Sequence, residues 1–320
     1  MRVLVTGGTS LLGSVTAAQL IAQGHEVTLF QRHASGSGLP EVLGDVSDGA
    51  KVRQAVAGHD AVLHLAAKVG VAGRAKEFDR INIDGTRNVI TAMRAHDVPR
   101  LVFVSSPSVA HTGKALVGAD AGPADPENVR GDYSRTKAVA EQLVLNSALP
   151  EVVAIRPHLV WGPGDEQLIG RIVQRAKAGR LAVIGTGAAL IDTTYIDNAA
   201  SALVAAVERT PAVHGRALVV SNGEPRTVLE LFERIVQAAN VRTSIRRVSP
   251  GIGKPAAAGI AGATRVFAPE VEPLLTPFLV QQLSTAHWFD QRETQSLLQW
   301  QPKVTLAQGF ERLSAWFAHQ

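Results

Sequence analysis

The chain predicts an α/β fold, a doubly wound parallel sheet with a smaller C-terminal lobe, on three observations. Short apolar runs rich in Val and Leu recur along its first half and alternate with stretches of helical periodicity, the rhythm of parallel strands joined by crossover helices. The first run opens through a glycine-rich turn into a helix, RVLVTGGTSLLGSVTAAQL. At 320 residues the chain is long for one core and suits a large domain bearing a second, smaller one.

Residues 2–6 form the first strand, and Gly7, Gly8 and Gly13 punctuate the entry to a helix that ends near Gly24. Glycines tolerate positive φ and close backbone approach, so a pyrophosphate can rest on free N–H groups at the helix N-terminus. Gly7, Ser10, Leu11, Leu12 and Gly13 are the expected cradle. Ser10 stands at the position of the usual middle glycine, where its Cβ and hydroxyl are either tolerated beside the phosphates or bonded to them.

The next strand, Glu26 to Phe30, runs into Gln31, Arg32 and His33. A carboxylate at this point would bind the ribose 2′-hydroxyl of NAD. Gln31 with Arg32 beside it suits a 2′-phosphate instead, in charge and in bidentate geometry, and predicts NADP(H) over NAD(H). The competing reading makes Arg32 a solvated charge beside the flexible ASGSG connector. Asp45, followed by Val46 in GDVSD, is expected at the adenine. The buried run from Asp60 to Ala67, DAVLHLAA, ends in Ala66 and Ala67, small enough for the middle of the cofactor to approach; His64 within it reads as a satisfied core residue. A helix over NIDGTRNVITAMRAH and a strand over LVFVSSPSV follow, the latter presenting Ser105 and Ser106 at its C-terminal end, where ligands of open α/β sheets bind.

Tyr133 and Lys137 then form a Tyr-x-x-x-Lys pair, one helical turn apart on one face. A phenol of pKa about 10 is a poor acid or base at neutral pH, and an adjacent ammonium stabilises its phenolate. Ser106, Tyr133 and Lys137 are the expected catalytic residues, with the serine hydroxyl donating to the reacting carbonyl oxygen while Tyr133 delivers the proton.

The chain has no cysteine, which removes disulfides and thiolate chemistry, so redox work requires a cofactor. Histidines and carboxylates show no metal-ligand spacing such as HExxH, and no metal is expected. The net charge of +4 is spread along the chain and argues against a nucleic-acid surface. Met1 and Arg2 lead straight into the first strand, leaving no room for a signal peptide, and the protein is expected in the cytoplasm.

TGGTSLLG, HLAA, NIDGTRNV, SSPSV, YSRTK and RPHLVWGPGD occur in the order and spacing of the extended short-chain dehydrogenase/reductase family, which this chain resembles over essentially its whole length. SSPSV, RPHLVWGPGDEQLIGRIVQRAKAGRL and VQQLSTAHWFD resemble its 3β-hydroxysteroid dehydrogenase/isomerase-like branch, and more narrowly the bacterial NADPH-dependent 2-alkyl-3-oxoalkanoate reductases of long-chain olefin biosynthesis. The resemblance implies a Rossmann-type domain over 1–157 and 192–222 and a substrate-binding lobe over 158–191 and 223–320. It implies that Ser106 is a hydroxyl donor, that Tyr133 is the general acid/base, and that Lys137 lowers the Tyr133 pKa and contacts the nicotinamide ribose. It implies that Pro157 lies in the turn after the sixth strand, beside the nicotinamide carboxamide. His158 next to it either meets a substrate carboxylate or packs on the cofactor side. A homodimer through helices near Tyr133 follows from the same likeness, and an assembly with other olefin-pathway enzymes if the narrow substrate holds.

On the substrate side, Arg171, Arg175, Lys177 and Arg180 form either a patch for a carboxylate or acyl thioester or a solvated helix face. Pro250 to Ser284, rich in Pro, Gly and apolar residues, reads as a lid over a lipid or sterol tail or as a helical pair packed on the lobe. Its uncharged portions, Pro255 to Thr264 and Pro273 to Ser284, are both short of the roughly 20 residues that span a bilayer. The expected reaction is reduction of a long-chain 2-alkyl-3-oxo acid to the 3-hydroxy acid. The rivals are a 3β-hydroxysteroid dehydrogenase, a nucleotide-sugar epimerase or reductase, and a non-catalytic NADP sensor.

Overall fold

The computed structural model describes residues 1–70, 73–249 and 284–320. Its main sheet has seven strands, β1 (Arg2–Thr6), β2 (Glu26–Gln31), β3 (Glu41–Leu43), β4 (Ala61–His64), β5 (Arg100–Val104), β7 (Glu151–Pro157) and β12 (Arg216–Val220). They lie in the order β12-β7-β5-β4-β1-β2-β3, every pair parallel. The sequence order reverses between β1 and β4, and a crevice opens there beyond the strands' carboxyl ends.

Helices cover both faces, which is why the strands read as nearly continuous apolar runs. α1 (Leu11–Ala22) and α7 (Ile196–Arg209) pack on one face around Val5, Leu20 and Leu203. α2 (Gly49–Val56), α4 (Gly85–Ala95) and α5 (Asp132–Leu145) pack on the other around Val62, Val89 and Val144. Two elements differ from expectation. The run over residues 60–67 is strand only to His64, because the Ala66 N–H is taken by the Thr6 side chain rather than by a neighbouring backbone. The helix predicted from NIDGTRN begins earlier, as α3 (Ala75–Phe78), and passes through a π-helical turn, Asp79–Asp84, before α4.

The smaller lobe gathers α6 (Arg171–Lys177), α8 (Val228–Ala238) and α10 (Leu306–Ala318) around Trp161, Tyr195, Ile235 and Leu313. Side-chain caps start these helices where the sequence allows them: Asp165 before the π-helical turn that leads into α6, Thr227 at α8, and a Thr305/Gln308 capping box at α10. A four-stranded sheet joins the two parts, made of β13 (Arg226–Thr227), β10 (Leu190–Ile191), β15 (His287–Phe289) and β6 (Leu116–Ala119) in that order. Two parallel pairs complete the lobe: β8 (Val160–Trp161) with β11 (Thr194–Tyr195), and β9 (Ala182–Ile184) with β14 (Arg246–Val248). α9 (Arg292–Leu298) returns against β12. Of the segment read as a lid, Pro250 to Ser284, residues 250–283 lie outside the described residues. Among the described residues no helix is long and apolar enough to cross a membrane.

One ion pair holds α5 to the sheet. Arg156 on β7 and Glu141 on α5 are fully buried and meet as a two-pronged fork, Nε to Oε2 at 2.9 Å and Nη2 to Oε1 at 2.5 Å. The guanidinium also donates to the carbonyls of Ala121 and Gly122, pinning the loop before α5. Arg156→Leu is expected to cost about 3–5 kcal/mol by leaving a buried carboxylate uncompensated. Urea unfolding should show this as a lower midpoint at unchanged slope, while the neutral Glu141→Gln/Arg156→Met pair recovers most of the loss.

Candidate active site

The crevice is a cavity of about 1780 Å³ that runs from the glycine turn to the smaller lobe. At its first end Gly7 adopts φ +76° and donates its N–H to the Phe30 carbonyl at 2.9 Å. A Cβ at Gly7 would lie 3.0 Å from the Ala66 backbone, and one at Gly13 would lie 2.4 Å from the Gly7 carbonyl oxygen. Glycine is therefore required at both. Ser10 needs no glycine: it is the N-cap of α1 with φ −69°, accepting from the Gly13 N–H at 3.0 Å and donating to the Gly7 carbonyl at 2.8 Å. Its hydroxyl is bound into the turn itself. Leu11 and Leu12 begin α1 and line the cavity.

Gln31, Arg32, Asp45 and Val46 line the wall around the ends of β2 and β3. Gln31 is buried and, among the described residues, neither atom of its amide has a hydrogen-bond partner, so a polar ligand would satisfy it. Arg32 is exposed and acts electrostatically on Asp45. Burial raises the Asp45 carboxyl, but two bonds from Ser47 and the charges of Arg80 and Arg32 outweigh it and hold the group below its ordinary value.

A buried chain of hydrogen bonds joins the glycine turn to α5. The Thr86 hydroxyl gives its hydrogen to the Asn82 carbonyl at 2.7 Å, so it accepts from His64 Nε2 at 3.1 Å. His64 is thus the neutral Nε2–H tautomer, and its Nδ1 accepts from the Thr6 hydroxyl at 2.7 Å, which accepts from the Ala66 N–H at 3.1 Å. Burial and the Lys137 charge push His64 down to about 3, so it stays neutral, a satisfied core residue as its setting in the sequence predicts. Asn82 brackets the Lys68 backbone at 2.7 and 3.1 Å and donates to Thr136 Oγ1, on α5, at 2.9 Å. Ala66 and Ala67 line the cavity beside this chain.

Ser106, Tyr133 and Lys137 all line the middle of the cavity. Pro107 starts a short 3-10 turn for which Ser106 is the N-cap, its Oγ accepting from the Ser108 N–H at 3.3 Å and lying 3.0 Å from Ser108 Oγ. Tyr133 is half-buried; desolvation raises its phenol above the ordinary value, and a hydrogen bond with Ser106 opposes the rise. Lys137 is buried, donates from Nζ to the Val104 carbonyl at 2.6 Å and sits 3.9 Å from the centre of the Phe103 ring. Burial lowers its pKa to about 7, while Glu141 one turn onward pulls upward. Lys137 is not among the groups that shift Tyr133, so the lowering expected of it is not seen with the cavity as it stands. Pro157 is the last residue of β7 rather than part of a turn, and it too lines the cavity.

Sequence spacing gave no signal for the histidines that gather beyond it. His158 Nε2 and His287 Nδ1 are 3.0 Å apart, and the His111 and His287 rings lie 6.0 Å apart, all three on the cavity wall. They come from positions far apart in the chain and meet because β15 pairs with β6. Burial, then the neighbouring His287, pushes His158 well below its usual range, so it is neutral. Arg171, Arg175 and Arg180 line the lobe end, while the exposed Lys177 does not. Leu116, Leu159, Leu181, Ile184, Ile191 and Phe289 make the wall there apolar. The glycine turn and the partnerless Gln31 amide fit a dinucleotide at one end, and the apolar wall with arginines fits an amphiphilic molecule at the other.

The model of the 3-beta hydroxysteroid dehydrogenase/isomerase family matches residues 4–247. The chain is 40% identical to the 2-alkyl-3-oxoalkanoate reductase of Stenotrophomonas maltophilia (strain K279a), covering 98% of this chain and 99% of that one. It is 28% identical to the human (Homo sapiens) sterol-4-alpha-carboxylate 3-dehydrogenase, decarboxylating, covering 99% and 88%. The crystal structure of gox2253 superposes with a TM-score of 0.79 at 24% identity, covering 99% and 98%, and shares the fold.

The depressed Lys137 makes a pH prediction. Between about 7 and the ordinary lysine value of 10.5 the unfolded chain still holds the proton that folded Lys137 has released, so the unfolded state binds more protons. Stability of the native protein relative to Lys137→Met should therefore rise with pH across that window and be flat below it, as read from urea melts at a series of pH values.

Proposed function

The chain belongs to the 3-beta hydroxysteroid dehydrogenase/isomerase family, as an NAD(P)-dependent ketoreductase, and from that premise we propose that it reduces long-chain 2-alkyl-3-oxoalkanoic acids to 2-alkyl-3-hydroxyalkanoic acids with NADPH. The observation that carries the proposal is the meeting of Ser106, Tyr133 and Lys137 in one cavity, with a glycine cradle at one end and an apolar wall at the other. Full-length likeness to a 2-alkyl-3-oxoalkanoate reductase supports the substrate class. So does a shared feature of the two relatives' names: a carboxylate on the carbon next to the one that is oxidised or reduced.

Gly7, Ser10, Leu11, Leu12 and Gly13 would hold the pyrophosphate, and Gln31, Arg32, Asp45 and Val46 the adenosine. Ala66, Ala67, Lys137 and Pro157 would hold the nicotinamide half. A nicotinamide bound there supplies the hydride. Tyr133 gives its phenolic proton to the carbonyl oxygen as that oxygen becomes an alkoxide; burial keeps the phenol protonated at neutral pH, which suits a proton donor in the reducing direction. Ser106 donates to the same oxygen. The Lys137 ammonium is on the same helix face to stabilise the phenolate left behind. Arg171, Arg175 and Arg180, which line the lobe end, would meet the carboxylate. Arg32 favours NADP over NAD by meeting the 2′-phosphate. With this reading we propose the division of the chain into a cofactor part, 1–157 and 192–222, and a substrate part, 158–191 and 223–320, and a homodimer in solution. An assembly with other olefin-pathway enzymes follows only if the substrate is correct.

A 3β-hydroxysteroid as substrate is the second reading, favoured by the family match itself. The deciding assay offers purified protein a long-chain 2-alkyl-3-hydroxy acid with NADP, against a 3β-hydroxysterol and against NAD. Preferential NADP reduction with the hydroxy acid is expected; turnover of the sterol alone would move the assignment. Tyr133→Phe should lower turnover by roughly 10²- to 10⁴-fold while NADPH still binds, as followed by its fluorescence. Arg32→Ala should cut the preference for NADP over NAD by about tenfold or more, read as a ratio of kcat/KM values.

A further inference from the structure

We propose that Glu141, locked in place by Arg156, is a positioning residue of the reaction: its carboxylate opposes the loss of charge that burial imposes on Lys137, so that Tyr133, Lys137 and Glu141 act as one ladder clamped to β7. The inference rests on Tyr133 and Lys137 doing the chemistry proposed above. Three residues at spacings of four stand one above another along α5. The third is immobilised by both nitrogens of a guanidinium on a different element, with side-chain exposures of 0% and 1%. Such a pair is costly to bury, and a neutral pair could hold the helix as well, so retaining the charges calls for a use beyond packing. The adjoining cation supplies one.

The groups that face Lys137 from each packed element are few. From β5 come the Val104 carbonyl and the Phe103 ring. From β4 comes His64, held neutral. From the π-helical turn comes Asn82, which meets α5 at Thr136. From β7 comes Arg156, whose charge is met by Glu141. On α5 itself, Asp132 and Arg135 lie on the outer face with Asp79. Glu141 is the one carboxylate, among the described residues, that acts on Lys137; burial alone would drive the ammonium toward its neutral form, and Glu141 opposes it.

The consequence for catalysis is specific. When Tyr133 passes its proton to the nascent alkoxide, a phenolate remains until solvent returns a proton. A charged Lys137 stabilises that phenolate and a neutral amine does not. Glu141 touches neither substrate nor phenol and acts only through Lys137.

The test is a titration of Lys137 by NMR of protein labelled at lysine Cε, the signal identified by its loss in Lys137→Met. The Glu141→Gln/Arg156→Met pair removes both charges together, which avoids a lone buried ion. Its Lys137 midpoint should fall by about one unit, and the alkaline limb of kcat for ketone reduction should fall with it. Arg156→Lys, which keeps Glu141 charged but breaks the fork, should leave the midpoint where the native protein has it. An unmoved midpoint in the neutral pair, or an equal fall in Arg156→Lys, overturns the inference while leaving the proposed reaction intact. Full activity in Tyr133→Phe would instead overturn the reaction itself, whatever Lys137 does.

Discussion

Arg156 lies within a sheet covered on both faces, where a guanidinium has no water to turn to. Its charge is met by Glu141 on one side and its remaining hydrogens by the Ala121 and Gly122 carbonyls on the other. Because both partners are buried, the geometry leaves little freedom: α5 can sit on β7 at one height only if the fork is to close. That height sets where Tyr133 and Lys137 stand, two turns and one turn before Glu141. The pair thus turns a general preference for helix-on-sheet packing into a defined position for the proton donor.

A second constraint reaches the same helix from the opposite side. The Thr6, His64, Thr86, Asn82 and Thr136 chain begins at the end of β1, where the glycine turn starts, and finishes between Tyr133 and Lys137. Each donor in it has one acceptor, so the network is directional and fixes the histidine tautomer. Buried networks of this kind lose much of their value when one member is missing, which makes the spacing between the glycine turn and α5 hard to alter. The π-helical turn before α4 is where the backbone adjusts so that Asn82 can bracket the Lys68 backbone.

Several groups in the cavity carry a cost in the folded chain. Lys137 is buried with its pKa pulled down, and among the described residues the Gln31 amide and Ser105 Oγ have no hydrogen-bond partner. All three residues line the cavity, while the Gln291 amide nitrogen, also without one, lies outside it. Unsatisfied or desolvated polar groups gathered at a crevice are what a site poised for ligands shows, since stability is given up where binding and proton transfer need it. Away from the cavity, α2, α8 and α10 start on side-chain caps.

Much of the fold was readable in the sequence because its determinants are local. The Gly7 turn demands positive φ, Gly13 has no room for a Cβ, the strands show unbroken apolar runs, and Tyr133 and Lys137 share a face through a spacing of four; none of these depends on distant residues. Ser10 was only half legible: its departure from glycine was plain, but that its hydroxyl caps α1 required the turn's geometry. The Glu141–Arg156 fork, the Asn82 bracket, and the meeting of His111, His158 and His287 left no pattern, since their members lie on different elements and touch only once strands have paired. The tertiary structure alone decided these, because strand order and helix height are global properties of the packed chain, whereas turn chemistry and helical spacing are fixed by near neighbours.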